Sequence, residues 1–445
     1  MKHILIIGAG RSSSSLITYL LKACQQHGWS LTIGDLSKEL AESKIGQTPS
    51  ANAIRFDIHD LHQRTREIQK ADLVLSMLPA RFHILVAETC LKTNTHLITA
   101  SYVSDEIRAL DQPAKAANIM ILMECGLDPG IDHMSAMSVL DRIKDSGATL
   151  TGFETFTGGL IAPESVGDNP WAYKFTWNPR NVVLAGQGTV KFIQEGRYKF
   201  IPYHRLFRRT EVIHIPDHGY FEGYANRDSL KYLKVYKLQG IQTLYRGTLR
   251  RVGFCSAWDV FVQLGATDDT YMMEGVSNMT HRQFINSFLS YDPHNSVELK
   301  LAHYLRLELD HPIMYKMKWL GLFEEEAVGL DHGTPAQILE HILHKKWDLV
   351  EDDKDMIVMW HKFDFLLGKE ARQIQSHMVV KGRDRIQTGM SQTVGLPLGI
   401  AAEQFLCGKF WRTGVRIPVE SDIYVPILQK LSEMGISFEE RELHP

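Results

Sequence analysis

Near the start of the chain, Gly8, Gly10 and Ser13 stand at the spacing G-x-G-x-x-S, directly after the apolar run His3 to Ile7. Two glycines and a small third residue suit a bend that lies against a diphosphate. The first glycine permits the tight turn, the second lets the backbone approach the phosphates, and the third position needs a small side chain for close packing. Gly8, Ala9, Gly10, Arg11, Ser12 and Ser13 are therefore the expected cradle, with the following helix aiming its unpaired N–H groups at the anion. Asp35 ends the next apolar run. A carboxylate there accepts hydrogen bonds from a ribose and repels a 2′-phosphate, which favours NAD over NADP. Arg11 and Lys38 argue the other way and keep NADP open.

A second group of polar residues lies further along, in segments rich in Gly and Pro. It comprises Ser101-Tyr102, the stretch Gly126 to His133, Asp168-Asn169-Pro170 with Tyr173 to Arg180, Asn226 to Ser229, and Tyr245 to Arg250. Guanidinium and ammonium groups there suit carboxylates, which Arg engages through two parallel hydrogen bonds.

The elements that must position these residues follow from the apolar pattern. Short β-rich runs end at Ile7, Asp35, Phe56, Leu78 and Thr99, with a sixth at Ile119 to Met123, and helical spacing fills the gaps. This is an α/β pattern with an open parallel sheet of the Rossmann type. Ligands of such sheets sit outside the carboxyl ends of the strands. Leu36, Asp57, Ile58, Ser76, Leu78 and Pro79 are thus expected to line the cofactor edge. Ala100, Ser101, Leu127, Asp128 and Pro129 join them. Beyond about residue 125, Thr151 to Thr157 and Gln242 to Val252 alternate like antiparallel strands, and residues 268–345 are mainly helical. Thr393 to Leu406 and Ile423 to Met434 have helical spacing.

Composition narrows the classes. The 445 residues carry 49 Lys and Arg against 52 Asp and Glu, so the formal charge of −3 offers no basic face for nucleic acid or an anionic membrane. No apolar run is long enough to span a bilayer. The five cysteines (Cys24, Cys90, Cys125, Cys255 and Cys407) are dispersed, with no CxxC pair, which points to a reduced, cytoplasmic protein without a metal site. His341 and His344 lack an acidic or cysteine partner at metal-ligand spacing. Cys125 fits a small hydrophobe better than a nucleophile.

The strings SYVS (101–104), GLDPGIDHM (126–134), GGLxAPE (158–164), DNPxxYKFxWxPR (168–180), NRDS (226–229), YRGTLR (245–250) and TVGLPLGIAAE (393–403) carry a resemblance over nearly the whole chain. The sequence resembles the saccharopine reductases, the saccharopine dehydrogenases that form L-glutamate. The resemblance implies a Rossmann domain at 1–125, rejoined by about 391–445. It further implies an α+β substrate and dimerisation domain at 126–267 and about 346–390, a mainly helical domain at 268–345, and a homodimer. The implied reaction is reversible NAD(P)-dependent hydride transfer at the secondary amine of saccharopine, linking 2-aminoadipate 6-semialdehyde and glutamate through an imine. The substrate residues carried over are Ser101, Tyr102, Asp128, Arg227, Thr248, Leu249 and Arg250; Lys174 and Arg180 stand behind the two arginines as further carboxylate partners. Asp128, Tyr102 and His133 are candidates for proton transfer, and a capping Asp132 with a packed His133 is an equal alternative. Two features depart from the family: NADP-dependent members have a basic residue in place of Asp35, and the loop at Ser165-Val166-Gly167 is one residue longer. Two rival readings remain, the first sharing the Rossmann domain and Asp128-Pro129-Gly130, the second the same fold. One is a carboxynorspermidine-type dehydrogenase of polyamine synthesis; the other is a non-catalytic dinucleotide-binding scaffold.

Overall fold

A computed structural model describes residues 1–444. The chain forms two compact units, Met1–Leu150 with the segment from Phe365 onward, and Thr151–Asp364.

The first unit is built on six parallel strands: β1 His3–Ile7, β2 Ser30–Asp35, β3 Ala51–Arg55, β4 Leu73–Ser76, β5 His96–Thr99 and β6 Met120–Leu122. Their order is β3-β2-β1-β4-β5-β6, and the strand Gly414–Arg416 adds a seventh, parallel to β6. This is the doubly wound Rossmann order, in which the direction of winding across the sheet reverses between β1 and β4 and opens a crevice there. Ile4, Leu5 and Ile6 are fully buried, as expected of a strand covered on both faces. A single turn, Arg11–Ser13, leads into the helix Ser14–His27, which Gly28 terminates in the left-handed conformation (φ 67°).

The late helix Gly389–Leu406 lies against Ser14–His27. Two glycines make the approach possible. A Cβ on Gly395 would stand 2.7 Å from the Leu16 nitrogen, and one on Gly399 2.8 Å from the Tyr19 ring. The Tyr19 hydroxyl donates to Glu403, which also meets His27 Nε2 at 2.8 Å. The helix Ser421–Glu433 packs on Ile131–Asp145, where the Tyr424 hydroxyl donates to Asp141 at 2.6 Å.

The second unit contains β7 Thr149–Ile161, β8 Thr189–Gln194, β9 Arg197–Pro202, β10 Thr210–Ile215, β11 Gly219–Ala225, β12 Thr243–Arg251 and β13 Asp355–Leu367. They follow the order β10-β11-β12-β7-β13, with β8 pairing β12 and β9. The alternating segments at 151–157 and 242–252 are neighbours, and they run parallel, from Thr243 beside Gly152 to Thr248 beside Thr157. Alternation records that one face is covered; it does not encode strand direction, and the antiparallel partner of β12 is β11. The helix Phe254–Leu264 is joined by an aromatic cluster in which Trp347 lies 5.3 Å from Trp171 and 5.0 Å from Tyr173, ring centre to ring centre. Short helices fill much of 268–345; Thr280 and Thr334 open two of them with reciprocal capping by Gln283 and Gln337.

Candidate functional site

The glycine bend sits at the carboxyl end of β1. Gly8 has φ 105°, and a Cβ there would meet the Met77 carbonyl oxygen at 3.0 Å, so only glycine fits. The Gly8 N–H donates to the Gly34 carbonyl at 2.8 Å. The Ala9 N–H donates to Asp35 Oδ2 at 2.7 Å and the Ser37 N–H to Asp35 Oδ1 at 3.0 Å. Both oxygens of Asp35 are thereby held at the end of β2 with lone pairs to spare. Ser13 closes the turn by donating to the Gly10 carbonyl at 2.8 Å, and Gly10 and Arg11 are exposed. At Gly10 a built Cβ meets nothing within 4 Å. That open space over the bend, beside a fixed carboxylate, fits a dinucleotide diphosphate and its ribose.

Gly10 has φ −62°, a conformation that alanine also adopts. Gly10→Ala is therefore expected to leave the melting temperature unchanged and to weaken dinucleotide binding about tenfold by filling the cradle. Thermal denaturation and a fluorescence titration with reduced dinucleotide measure the two effects separately.

Lys44 was not foreseen from sequence. It comes from the helix Lys38–Ile45, and its Nζ donates to the Gly10 carbonyl (2.5 Å), Ser13 Oγ (3.1 Å) and Ser14 Oγ (3.0 Å). A lone lysine on a short helix gives no periodic signal. Burial pushes its pKa down to about 8, with Asp35 pulling the other way. In the folded protein the ammonium is present below pH 8 and is lost above it, whereas in the unfolded chain it persists to higher pH. The stability penalty is thus complete below pH 8 and is relieved as pH rises. A cation beside the bend favours an anionic ligand, so dinucleotide affinity should fall about tenfold between pH 7 and 9.5. Isothermal titration across that range, with Lys44→Met expected to flatten the profile, tests the assignment.

The remaining edge residues fall at strand ends. Asp57 is exposed after β3 and its Oδ1 caps the His59 N–H at 2.9 Å, while Ile58 is buried. Ser76 ends β4 and is buried. Leu78 is half-buried, and Leu36 and Pro79 are exposed. Ala100 packs against the second polar loop: a Cβ on Gly126 would lie 2.7 Å from the Ala100 Cβ.

That loop, Gly126–Asp132, closes on itself. The Gly126 N–H donates to the Pro129 carbonyl (3.0 Å) and the Ile131 N–H to the Gly126 carbonyl (2.8 Å). Asp132 Oδ1 accepts the Gly130 N–H at 2.6 Å. Leu127 is buried and Asp128 half-buried. The Tyr102 hydroxyl donates to Asp128 Oδ1 at 2.8 Å, so two of the three proton-transfer candidates meet. The third, His133, is fully buried, with Nε2 2.7 Å from Glu124 Oε2. Glu124 also accepts the Val103 N–H at 3.0 Å and ties the Ser101–Val103 segment to the loop. His133 therefore braces the loop from inside. Glu124, an acid at the end of a fully apolar strand, was the sequence signal for that brace. Burial raises the Cys125 thiol to about 12, which excludes a thiolate nucleophile at neutral pH.

In the second unit, Tyr224, Thr248 and Thr157 stand side by side across β11, β12 and β7. Arg250 follows on the same face of β12, opposite Glu222. Its guanidinium is buried, with Cζ 5.0 Å from the Tyr173 ring centre and 5.3 Å from that of Phe254. Its Nη1 donates to the Leu249 carbonyl at 2.9 Å, while Nε has no hydrogen-bond partner among the described residues. Thr157 Oγ1 is likewise without one. Arg227 lies in the loop after β11 with φ 54°, and its side chain is exposed. Lys174 is less available than expected: its Nζ is 2.5 Å from Asp353 Oδ2, and that carboxylate already neutralises it. Arg180 pairs with Asp269 and Glu340. Among the described residues no three His, Cys, Asp or Glu side chains gather as metal ligands, and no helix is long and apolar enough to cross a membrane.

Two family models match successive parts of the chain. Residues 4–122 match the saccharopine dehydrogenase NADP binding domain, and residues 126–436 the saccharopine dehydrogenase C-terminal domain. The alpha-aminoadipic semialdehyde synthase of rat, named as mitochondrial, is 30% identical over 98% of this chain, which spans only 47% of that protein. The saccharopine dehydrogenase [NADP(+), L-glutamate-forming] of Schizosaccharomyces pombe is 29% identical over 99% of both chains. The crystal structure of apo saccharopine dehydrogenase (L-Glu forming) from Saccharomyces cerevisiae superposes with a TM-score of 0.90 over 100% of both chains at 27% identity. With the Rossmann bend, the Asp128 loop and the Arg250 row all in place, the chain belongs to the saccharopine dehydrogenase family.

Proposed function

We propose that the chain is a saccharopine dehydrogenase of the L-glutamate-forming type, acting reversibly at the secondary amine of saccharopine. A bound nicotinamide would supply hydride acceptance at the methylene carbon on the aminoadipate side of that amine, the oxidation whose hydrolysed product is 2-aminoadipate 6-semialdehyde plus glutamate. The protein's part is to hold and orient the substrate and to move protons. The observation that carries this reading is the buried Arg250 guanidinium with an unpartnered Nε, a group whose natural complement is a carboxylate. Arg227, Thr248 and Leu249 extend the clamp, and Lys174 supports it through Asp353. The Tyr102–Asp128 pair handles the proton at the reacting nitrogen, since His133 is enclosed against Glu124. The relatives' names support the reaction.

The same proposal assigns cofactor binding to residues 1–125 with about 391–445, substrate and dimer contacts to 126–267 with 346–390, and a helical insertion to 268–345. A homodimer in a reducing cytoplasm rests on the family resemblance and on five cysteines, none of them in a disulfide. The deciding measurement is a spectrophotometric assay of purified protein with saccharopine and either NAD or NADP. Reduction that depends on saccharopine is the expected result, whereas reduction driven only by a carboxylated polyamine, or none with any amine, would overturn it.

For the cofactor we infer a preference for NAD, although the relatives are named for NADP(+). Asp35, fixed by two backbone N–H groups, opposes a 2′-phosphate. Asp35→Ala is expected to shift the ratio of kcat/KM values toward NADP by about tenfold or more. An unmoved ratio would remove Asp35 from cofactor selection.

A further inference from the structure

His83 opens the helix His83–Thr93 just after β4, and the functional reading above gives it no role. It is buried, 2% exposed, between the carboxyl ends of β4 and β5. Its Nδ1 lies 2.9 Å from Ser76 Oγ and its Nε2 2.6 Å from Ser101 Oγ. Thr99 Oγ1 stands 3.5 Å from the same Nε2 and accepts the Ser101 N–H at 3.4 Å. Ser76 and Thr99 are register partners, so the imidazole bridges two adjacent strand ends. Ser76 is buried and Ser101 half-exposed, which makes Ser101 the accessible end of the chain of hydrogen bonds.

We propose that His83 is a positioning residue that fixes Ser101 as a hydrogen-bond donor toward an oxygen of the bound substrate or nicotinamide carboxamide. Burial pushes the imidazole down to about 4, so the ring is neutral at working pH and carries one N–H and one lone pair. With the proton on Nε2, the ring donates to Ser101 Oγ. The Ser101 O–H is then left to point away from the ring, and Nδ1 accepts the Ser76 O–H. With the proton on Nδ1, Ser101 donates to the ring and offers a ligand only lone pairs. The two serine hydroxyls are therefore coupled through one tautomer, and an oxygen acceptor at Ser101 selects the Nε2–H form. This rests on the proposed substrate site and deepens it: the residue acts through Ser101 and does not itself touch the reacting atoms.

The test compares His83→Ala, His83→Gln, Ser101→Ala and the double variant His83→Ala/Ser101→Ala in the saccharopine assay. His83→Ala is expected to lower kcat/KM about 10- to 100-fold, with dinucleotide Kd unchanged where the acceptor is the substrate and raised where it is the carboxamide. His83→Gln, whose amide can donate to Ser101, should restore most of that loss. The double variant should match Ser101→Ala within about twofold, because the coupling has nothing further to lose. Independent losses that multiply, or no rescue by Gln, would overturn the proposal. A second readout does not depend on turnover. The 15N resonances of the His83 ring, identified by their absence in His83→Gln, should show an Nε2–H tautomer when reduced dinucleotide and saccharopine are both bound; an Nδ1–H or charged ring would overturn the relay. Absence of saccharopine turnover in the unmodified protein would instead sink the proposed function, and the ring spectrum would then decide the relay alone.

Discussion

Arg250→Met is expected to lower kcat/KM for saccharopine by about three orders of magnitude while leaving dinucleotide affinity intact. The reason is the environment of the guanidinium. It is 3% exposed, packed over Tyr173 and Phe254, and its Nε has no partner among the described residues. A carboxylate bound there forms charge-assisted hydrogen bonds in a water-poor setting, where such bonds are worth roughly twice their neutral counterparts. The same burial makes the side chain costly to the empty protein. Met retains the length and apolar contacts without the charge, and exchanging a buried charge for a similar apolar group is often neutral or stabilising. Glu222 is not stranded by the change, since it accepts the Cys255 N–H and feels the Lys316 ammonium. The expected pattern is a large kinetic loss with a melting temperature that holds or rises. Steady-state kinetics paired with calorimetry would show it. A variant that kept its kcat/KM would detach Arg250 from the substrate.

Gly130→Ala should have the largest effect on stability. Gly130 has φ 150°, and a Cβ there would lie 2.1 Å from the Gly126 carbonyl oxygen and 2.2 Å from the Gly126 nitrogen. Both are backbone atoms of the same closed loop, so no side chain can rotate out of the way. A cost of about 3–5 kcal/mol is expected from backbone strain and steric overlap together. The loop also carries Asp128, whose carboxylate meets the Tyr102 hydroxyl, and Asp132, which accepts the Gly130 N–H. Displacing it by an ångström would lower kcat/KM by about two orders of magnitude in whatever fraction remains folded. Calorimetry together with activity per folded molecule would separate the two effects. An unchanged melting temperature would mean that the loop relaxes in a way its geometry does not suggest.

Local chemistry explains why the cofactor half was legible from the residues alone. A bend that must pass close to Met77 needs Gly8, and an acid at the end of β2 needs only to be the last residue of its strand. These are short-range requirements, written in consecutive residues, and the strands that carry them are fully apolar runs. Lys44 and His83 were illegible for the opposite reason. Each reaches its partners across long stretches of chain, Lys44 to the Gly10 turn and His83 to Ser101, and neither disturbs the apolar rhythm of its helix. Lys174 shows how a residue type leaves its partner open: a lysine among polar residues suggested a carboxylate on the substrate, and the fold also sets Asp353 beside its ammonium.

By itself the sequence determined the parallel α/β unit, the glycine bend with Asp35, and the segments bearing Asp128 and Arg250, because each depends on the identity and spacing of near neighbours. Tertiary structure alone decided that β7 and β12 run parallel, that Gly395 and Gly399 let the late helix seat on the first one, and that Glu124 encloses His133. Strand direction, helix approach and the pairing of buried charges are settled by which distant surfaces come together, and side-chain periodicity carries no record of that choice.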